Sequence, residues 1–162
     1  MVIDGAKGIE SQTKKLFEIC RLRDLPIITF CNKMDRESRD VIEIIDEIQE
    51  DLALDVSPLN CPVGLGKDFI GCYHMETRII ELIDRQNKNN KTEVTTLDPK
   101  HNGKLFEKIN TKNWEKTCED ISMIKSLTSP FCKSEFLKGS LTPLFFGSAI
   151  FSFEVSNLLD SI

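Results

Sequence analysis

The sequence predicts an α/β domain, a mostly parallel sheet with helices packed over it, and three observations carry that reading. Short apolar runs alternate with amphipathic stretches in the order strand, helix, strand, helix through the first 52 residues, the pattern that feeds a parallel sheet. Each apolar run ends in a polar or glycine-bearing turn, as in Ile27-Ile28-Thr29-Phe30-Cys31 followed by Asn32-Lys33-Met34-Asp35. The 162 residues, 40% of them apolar, suffice for one domain with a real core.

Taken in order, Met1-Val2-Ile3-Asp4 reads as the end of a buried strand, followed by a turn through Gly5 and Gly8. A strand that is apolar from its first residue leads to the expectation of further sequence upstream. From Ser11 to Arg23 the spacing of Leu16, Phe17 and Cys20 predicts a surface helix with those residues on its inner face. Pro26 punctuates, and the β-branched run 27–31 reads as a strand covered on both faces. Asp40 is placed as N-cap of a second helix, with Glu43 three residues on and Val41, Ile44, Ile45, Ile48 and Leu52 forming one stripe.

Val56 to Leu59 reads as a short third strand, and Pro62, Gly64 and Gly66 as a loop. Phe69 to Tyr73 and Thr77 to Ile83 read as the arms of a hairpin, and the stretch from Arg85 to about Lys104, rich in Asn, Lys and Thr, as a polar connector with little order. Hairpin and connector together form an insertion over residues 60–112. Trp114, Cys118, Ile121 and Ile124 predict a helix over 113–127. Ser129 as N-cap and Pro130 at the first helical position predict a shorter one, closed by Gly139. Leu144-Phe145-Phe146 is the last strand, ending in Gly147-Ser148-Ala149, and Glu154 onward opens a helix.

A net charge of −5 and a pI near 5.1 disfavour capture of nucleic acid by bulk electrostatics, and DNA is not an expected partner. No apolar run approaches the roughly 20 residues of a spanning helix, so no membrane partner is expected and the chain is read as soluble and cytoplasmic. The six cysteines contain no Cys-x-x-Cys pair, and His74 and His101 are the only histidines. The thiols read as reduced core residues, both histidines as exposed loop residues, and Trp114 and the phenylalanines as core.

Asn32-Lys33-Met34-Asp35 carries the sharpest chemical signal. In an open α/β sheet, ligands bind beyond the carboxyl ends of the strands, where this tetrapeptide lies. Guanine presents N–H donors on its N1 and N2 edge, and one carboxylate can take both in a forked bond, a role that suits Asp35. The Asn32 amide can donate to N7 or tie neighbouring loops together, and Lys33 can lay its stem along the base with its charge in water. Ser148 and Ala149 stand at a second strand end, where small residues let backbone N–H groups approach the guanine O6.

The run Val2-Ile3-Asp4-Gly5-Ala6-Lys7-Gly8-Ile9-Glu10, then Asn32-Lys33-Met34-Asp35-Arg36-Glu37 and Arg39-Asp40, resembles the translational GTPases that work on the ribosome. Within them, Pro26 to Phe30, the loop Cys61-Pro62-Val63-Gly64-Leu65-Gly66-Lys67-Asp68 and Phe145-Phe146-Gly147-Ser148-Ala149 are more similar to the bacterial peptide chain release factor 3 group than to elongation factor G. The resemblance implies a Ras-like sheet of the P-loop NTPase type, here its C-terminal portion with the N-terminal strands missing. It implies GTP or GDP as ligand, with Asn32, Lys33, Met34 and Asp35 reading guanine and Ser148 and Ala149 supporting the base. The ribosome and a class I release factor are its implied partners, and recycling of that factor with GTP hydrolysis its implied work.

Nothing in the chain fits Gly-x-x-x-x-Gly-Lys-Ser/Thr, since Gly66-Lys67 is followed by Asp68 and position 61 is cysteine. Mg2+ is therefore expected only with a complementary N-terminal half, and GTP hydrolysis is not expected of this chain alone. No catalytic residue is assigned. An exposed apolar sheet edge at the first strand leads to the expectation of poor autonomous stability. A non-enzymatic remnant without nucleotide function, and a piece of an elongation factor G-like translocation GTPase, are the alternatives.

Overall fold

β1 (Val2–Asp4) and β2 (Thr29–Asn32) run in parallel with Asp4 in register with Asn32, so two polar strand ends meet at one rim of the sheet. The computed structural model describes residues 1–83, 95–97 and 109–160. β8 (Leu141–Phe146) lies on the other side of β2, and β3 (Asp55–Pro58) closes the sheet, giving the order β1-β2-β8-β3 with parallel neighbours throughout. All six residues of β8 are buried, as expected of a strand covered on both faces. The Thr29 and Thr142 hydroxyls meet at 2.7 Å, pairing two buried polar groups across β2 and β8.

α1 (Ser11–Arg21) and α2 (Val41–Leu52) form where their stripes predict. Asp40 caps α2 by accepting the Ile42 N–H at 3.1 Å, and Val41, Ile44, Ile45, Ile48 and Leu52 are all buried. α1 differs from expectation: of Leu16, Phe17 and Cys20 only Phe17 is buried, while Leu16 is 56% exposed. Its apolar side faces an open groove of about 760 Å³ lined also by Val2 of β1, Ile27 and Leu137. Val2, on the outer strand, is 63% exposed.

A second sheet is antiparallel, in the order β4 (Asn60–Val63), β5 (Gly71–His74), β6 (Ile80–Leu82), β7 (Thr95–Leu97). The predicted hairpin is β5 and β6. Pro62, expected in a loop, lies within β4, an outer strand of that sheet where its missing N–H is tolerated. The expected connector falls outside the described residues except at Thr95–Leu97, which pair with β6 as a strand; His101 also lies outside them.

Asn60 joins the two sheets. Fully buried, it donates from Nδ2 to the Phe146 carbonyl at 3.0 Å and accepts the Phe146 N–H at Oδ1 at 2.8 Å, so both backbone groups at the end of β8 are satisfied by one amide.

α3 (Thr111–Leu127) is capped by Asn110, which accepts the Lys112 N–H at 3.0 Å, and it packs Ile121 and Ile124 inward. The short α4 (Lys133–Leu137) begins after Cys132, three residues later than the Ser129-Pro130 signal indicated; Cys132 stands at the N-cap without a side-chain capping bond. Gly139 does adopt a left-handed φ of 72° just past this helix. α5 (Val155–Asp160) follows a 3-10 turn at Ala149–Phe151.

The cysteines divide rather than forming a uniform core set. Cys31, Cys61 and Cys72 are buried, Cys20 and Cys132 half-buried, and Cys118 exposed. Burial pushes the Cys31 thiol up to about 12 and raises Cys61 and Cys72 well above the ordinary value, so these three are inert at neutral pH. Trp114, half-buried, packs against the core beside Tyr73, whereas Phe131 is 46% exposed and is not core. Among the described residues no helix is long and apolar enough to cross a membrane.

Candidate functional site

The polar rim above β2 and β8 is assembled by cross-bonds between two loops. Asn32 ends β2, and its Oδ1 accepts the Lys33 N–H at 2.8 Å and the Ala149 N–H at 2.9 Å. Of the two roles open to Asn32, tying the loops is thus taken up by its oxygen, and its NH2 donors are what it has left for a ligand. Asp35 accepts a hydrogen bond from the Ser148 hydroxyl on Oδ1. Ser148 is fully buried and Asp35 half-buried, so the hydroxyl fixes one carboxylate oxygen from beneath and leaves the carboxylate further acceptor capacity.

Lys33 has a left-handed φ of 70°, and its ammonium lies 2.5 Å from Asp4 Oδ2 at the end of β1. Its charge is therefore paired, not free in water, and its stem is held across the gap between two strand ends. The hydrogen bond from Lys33 lowers the Asp4 carboxyl below its ordinary range; burial opposes this and the N–H groups of Ala6 and Lys7 add to it. Asp4 was not among the expected site residues, although the register Asp4 to Asn32 puts it beside Lys33 once the strands are known to be parallel.

Met34 is fully buried and its side chain belongs to the core, with the Cys31 thiol 3.8 Å from its sulfur. It serves the rim through its backbone: its N–H donates to the Gly147 carbonyl at 3.2 Å and its carbonyl accepts the Gly66 N–H at 3.0 Å. Gly147 sets the approach of the second loop. A Cβ there would stand 2.8 Å from both the Phe153 carbonyl oxygen and the Phe30 ring, so any side chain would push the loop off the sheet. The structure thus brings Asn32, Lys33, Asp35, Ser148 and Ala149 to one rim, with Met34 beneath it. The Ala149 N–H is already bonded to Asn32, so an acceptor on a base reaching that amide would share it.

The expectation for His74 is overturned. His74 closes β5 half-buried, between Glu81 and Glu154, and is not an exposed loop residue. Glu154 lies 80 residues further along the chain, and no local pattern ties it to His74.

Residues 1–162 match the family described as Elongation factor Tu GTP binding domain. The chain is 43% identical over 162 residues to Peptide chain release factor 3 of Buchnera aphidicola subsp. Acyrthosiphon pisum (strain Tuc7), an alignment that covers 100% of this chain and 30% of that protein. It is 42% identical over 163 residues to Peptide chain release factor 3 of Aromatoleum aromaticum (strain DSM 19018 / LMG 30748 / EbN1), covering 100% of this chain and 29% of the relative. The chain thus spans under a third of the length of these curated relatives. Among solved structures it is similar to ttk003000868 from Thermus thermophilus, with a TM-score of 0.66 and 14% identity over 99% of this chain and 25% of that one. That likeness supports the fold, an α/β unit with a parallel sheet and an added antiparallel one. Over its whole length, the chain belongs to the elongation factor Tu-type GTP-binding domain family.

Proposed function

We propose that this chain is the guanine-reading portion of a translational GTPase G domain of the release factor 3 kind, with residues 60–112 inserted in it. The observation that carries the reading is the cross-tie of the rim: Asn32 bonded to the Ala149 amide and Asp35 bonded to the Ser148 hydroxyl. Two loops so joined hold an acceptor carboxylate, an amide donor and a taut lysine stem around one space, which is what selection of guanine over adenine requires. Asp35 takes the N1–H and N2–H donors in a forked bond, Asn32 offers its NH2 group to N7, and the Lys33 stem covers one face of the ring. Adenine, lacking both the N1–H and the 2-amino group, leaves the Asp35 carboxylate unpaired.

The phosphates fall outside this rim, and no segment of the chain has the sequence of a phosphate-cradling loop. Mg2+ and the attacking water accordingly belong to residues of a complementary N-terminal half, and the chain alone does not hydrolyse GTP. The groove beside β1, open and apolar, supports such a partner, because Val2, Leu16 and Leu137 offer it a hydrophobic seat. In the completed protein the work is recycling a class I release factor from the ribosome in the cytoplasm, by likeness to the relatives.

Labelled GDP titrated onto the chain, alone and mixed with the N-terminal segment of a relative, tests this. Binding restored by the mixture, and competed by GTP but not ATP, supports the proposal. Silence in both arms would favour a non-enzymatic remnant.

A further inference from the structure

Three side chains from distant parts of the chain converge at the far side of the antiparallel sheet. His74 closes β5, Glu81 lies in β6, and Glu154 immediately precedes α5. The His74 Nε2 is 3.3 Å from Glu81 Oε2 and 3.1 Å from Glu154 Oε1, and the three atoms all lie within 4.8 Å of one another. The Glu154 side chain has no exposed surface, yet among the described residues its Oε1 has no hydrogen-bond partner, and neither has the His74 Nε2. Burial lowers the His74 value while Glu154 and Glu81 raise it, the balance being upward, so a proton on the imidazole pairs with both acids when nothing else is bound. One positive charge between two carboxylates nonetheless leaves the buried cluster short of neutral.

Two further features hold the carboxylates in place. Asn157 donates from Nδ2 to Glu154 Oε2 at 3.0 Å and to Glu81 Oε2 at 3.3 Å, bridging the two acids from outside. Glu154 itself sits at a φ of 65°, a left-handed conformation that disfavours a residue with a Cβ, so surrounding contacts hold it against its local preference.

We propose that His74 Nε2, Glu81 Oε2 and Glu154 Oε1 form a binding site for a divalent cation of the zinc class. One imidazole and two carboxylates make a mixed nitrogen–oxygen set that suits zinc and its first-row neighbours, whereas calcium and magnesium favour oxygen alone. Bonds of about 2.0–2.2 Å in a tetrahedron separate neighbouring ligand atoms by roughly 3.3–3.6 Å, so the observed 3.1 and 3.3 Å to His74 need a small expansion, and the two carboxylate oxygens, within 4.8 Å of each other, are brought to the same edge by side-chain rotation. A dication with neutral imidazole cancels both carboxylate charges, whereas a proton on His74 leaves one uncancelled. Asn157 is the outer partner that orients the two acids. His74 and Glu81, with side chains 17% and 27% exposed, form the solvent-side rim through which an ion enters. Bound there, the ion clips the antiparallel sheet to the segment that follows Phe153, whose carbonyl accepts the Ser148 N–H at 3.3 Å.

The test uses the full chain freed of metal by a chelator. Calorimetric titration with Zn2+ is expected to give one saturable site, and melting is expected to shift upward with the ion present. Glu154→Gln and His74→Ala are expected to weaken binding by about tenfold or more, and Asn157→Ala by about tenfold. Should a variant fail to fold, the visible spectrum of the unsubstituted chain loaded with Co2+ decides: d–d bands without a thiolate charge-transfer band support the site. No saturation up to about 1 mM Zn2+, unchanged affinity in a folded Glu154→Gln chain, or a thiolate band from Cys20, Cys118 or Cys132 would overturn it.

Discussion

Replacing Ser148 by alanine removes the hydroxyl that donates to Asp35 Oδ1 and probes the join between the β2 and β8 loops directly. Ser148 is fully buried, so the lost donor is not replaced by water from its own side, while Asp35 is half-buried and recovers part of its solvation. A hydrogen bond to a charged acceptor contributes about 1.5–3 kcal/mol, and that partial recovery places the expected loss for Ser148→Ala near the lower end, about 1.5 kcal/mol. Asp35→Ala leaves the buried Ser148 hydroxyl without its acceptor and costs about 1–3 kcal/mol. Because both changes delete the same bond, the double variant is expected to lose about 1 kcal/mol less than the sum of the singles. Urea unfolding followed by far-ultraviolet circular dichroism, on all four proteins in one buffer, measures the cycle. Additivity within about 0.3 kcal/mol would refute the joined rim, because independent sites behave that way.

Other consequences are open to measurement. Asn60→Leu strips the Phe146 N–H of its partner and leaves the Phe146 carbonyl only the Cys72 thiol, at 3.3 Å, so a loss of about 1–3 kcal/mol for the one orphaned group is expected, with faster amide exchange along β8 as the readout. The depressed Asp4 carboxyl contributes stability that is present above its unfolded value of about 3.9 and is lost as pH falls through the lower folded value. The stability gap between the unsubstituted chain and Asp4→Asn should therefore be constant near neutrality and shrink below about pH 4; a gap independent of pH there would contradict the Lys33 pairing. Val2→Lys with Leu16→Lys places two charges on side chains already 63% and 56% exposed, so stability should change by no more than about 0.5 kcal/mol per site while light scattering from concentrated solutions falls. Unchanged scattering would show that the β1 groove does not drive association.

The parts legible in the sequence were those whose burial is written in local spacing. The α2 stripe is one case: all five of its apolar positions are buried and Asp40 caps it as the residue types indicate. The β2 end was legible for the same reason, since a β-branched run stops at a polar tetrapeptide. Ser129-Pro130 misled because the pair also suits an extended approach to a helix, and α4 starts only at Lys133. α1 misled in another way: periodicity marks an apolar face but not whether anything covers it, and Leu16 faces a groove. The Lys33 partner and the His74 cluster depend on contacts between residues 29 and 80 positions apart, which only the strand register and the return of the chain after β8 bring together.

The central claim is that Asp35 reads the hydrogen-bonding edge of guanine. Asp35→Asn turns one acceptor oxygen into an NH2 donor, which repels the guanine 2-amino group and matches the carbonyl that xanthine carries there. Competition between GDP and xanthosine diphosphate for the chain complemented by an N-terminal segment measures this. The account predicts that preference moves from guanine to xanthine in the variant; guanine selectivity unaltered by the substitution would contradict it.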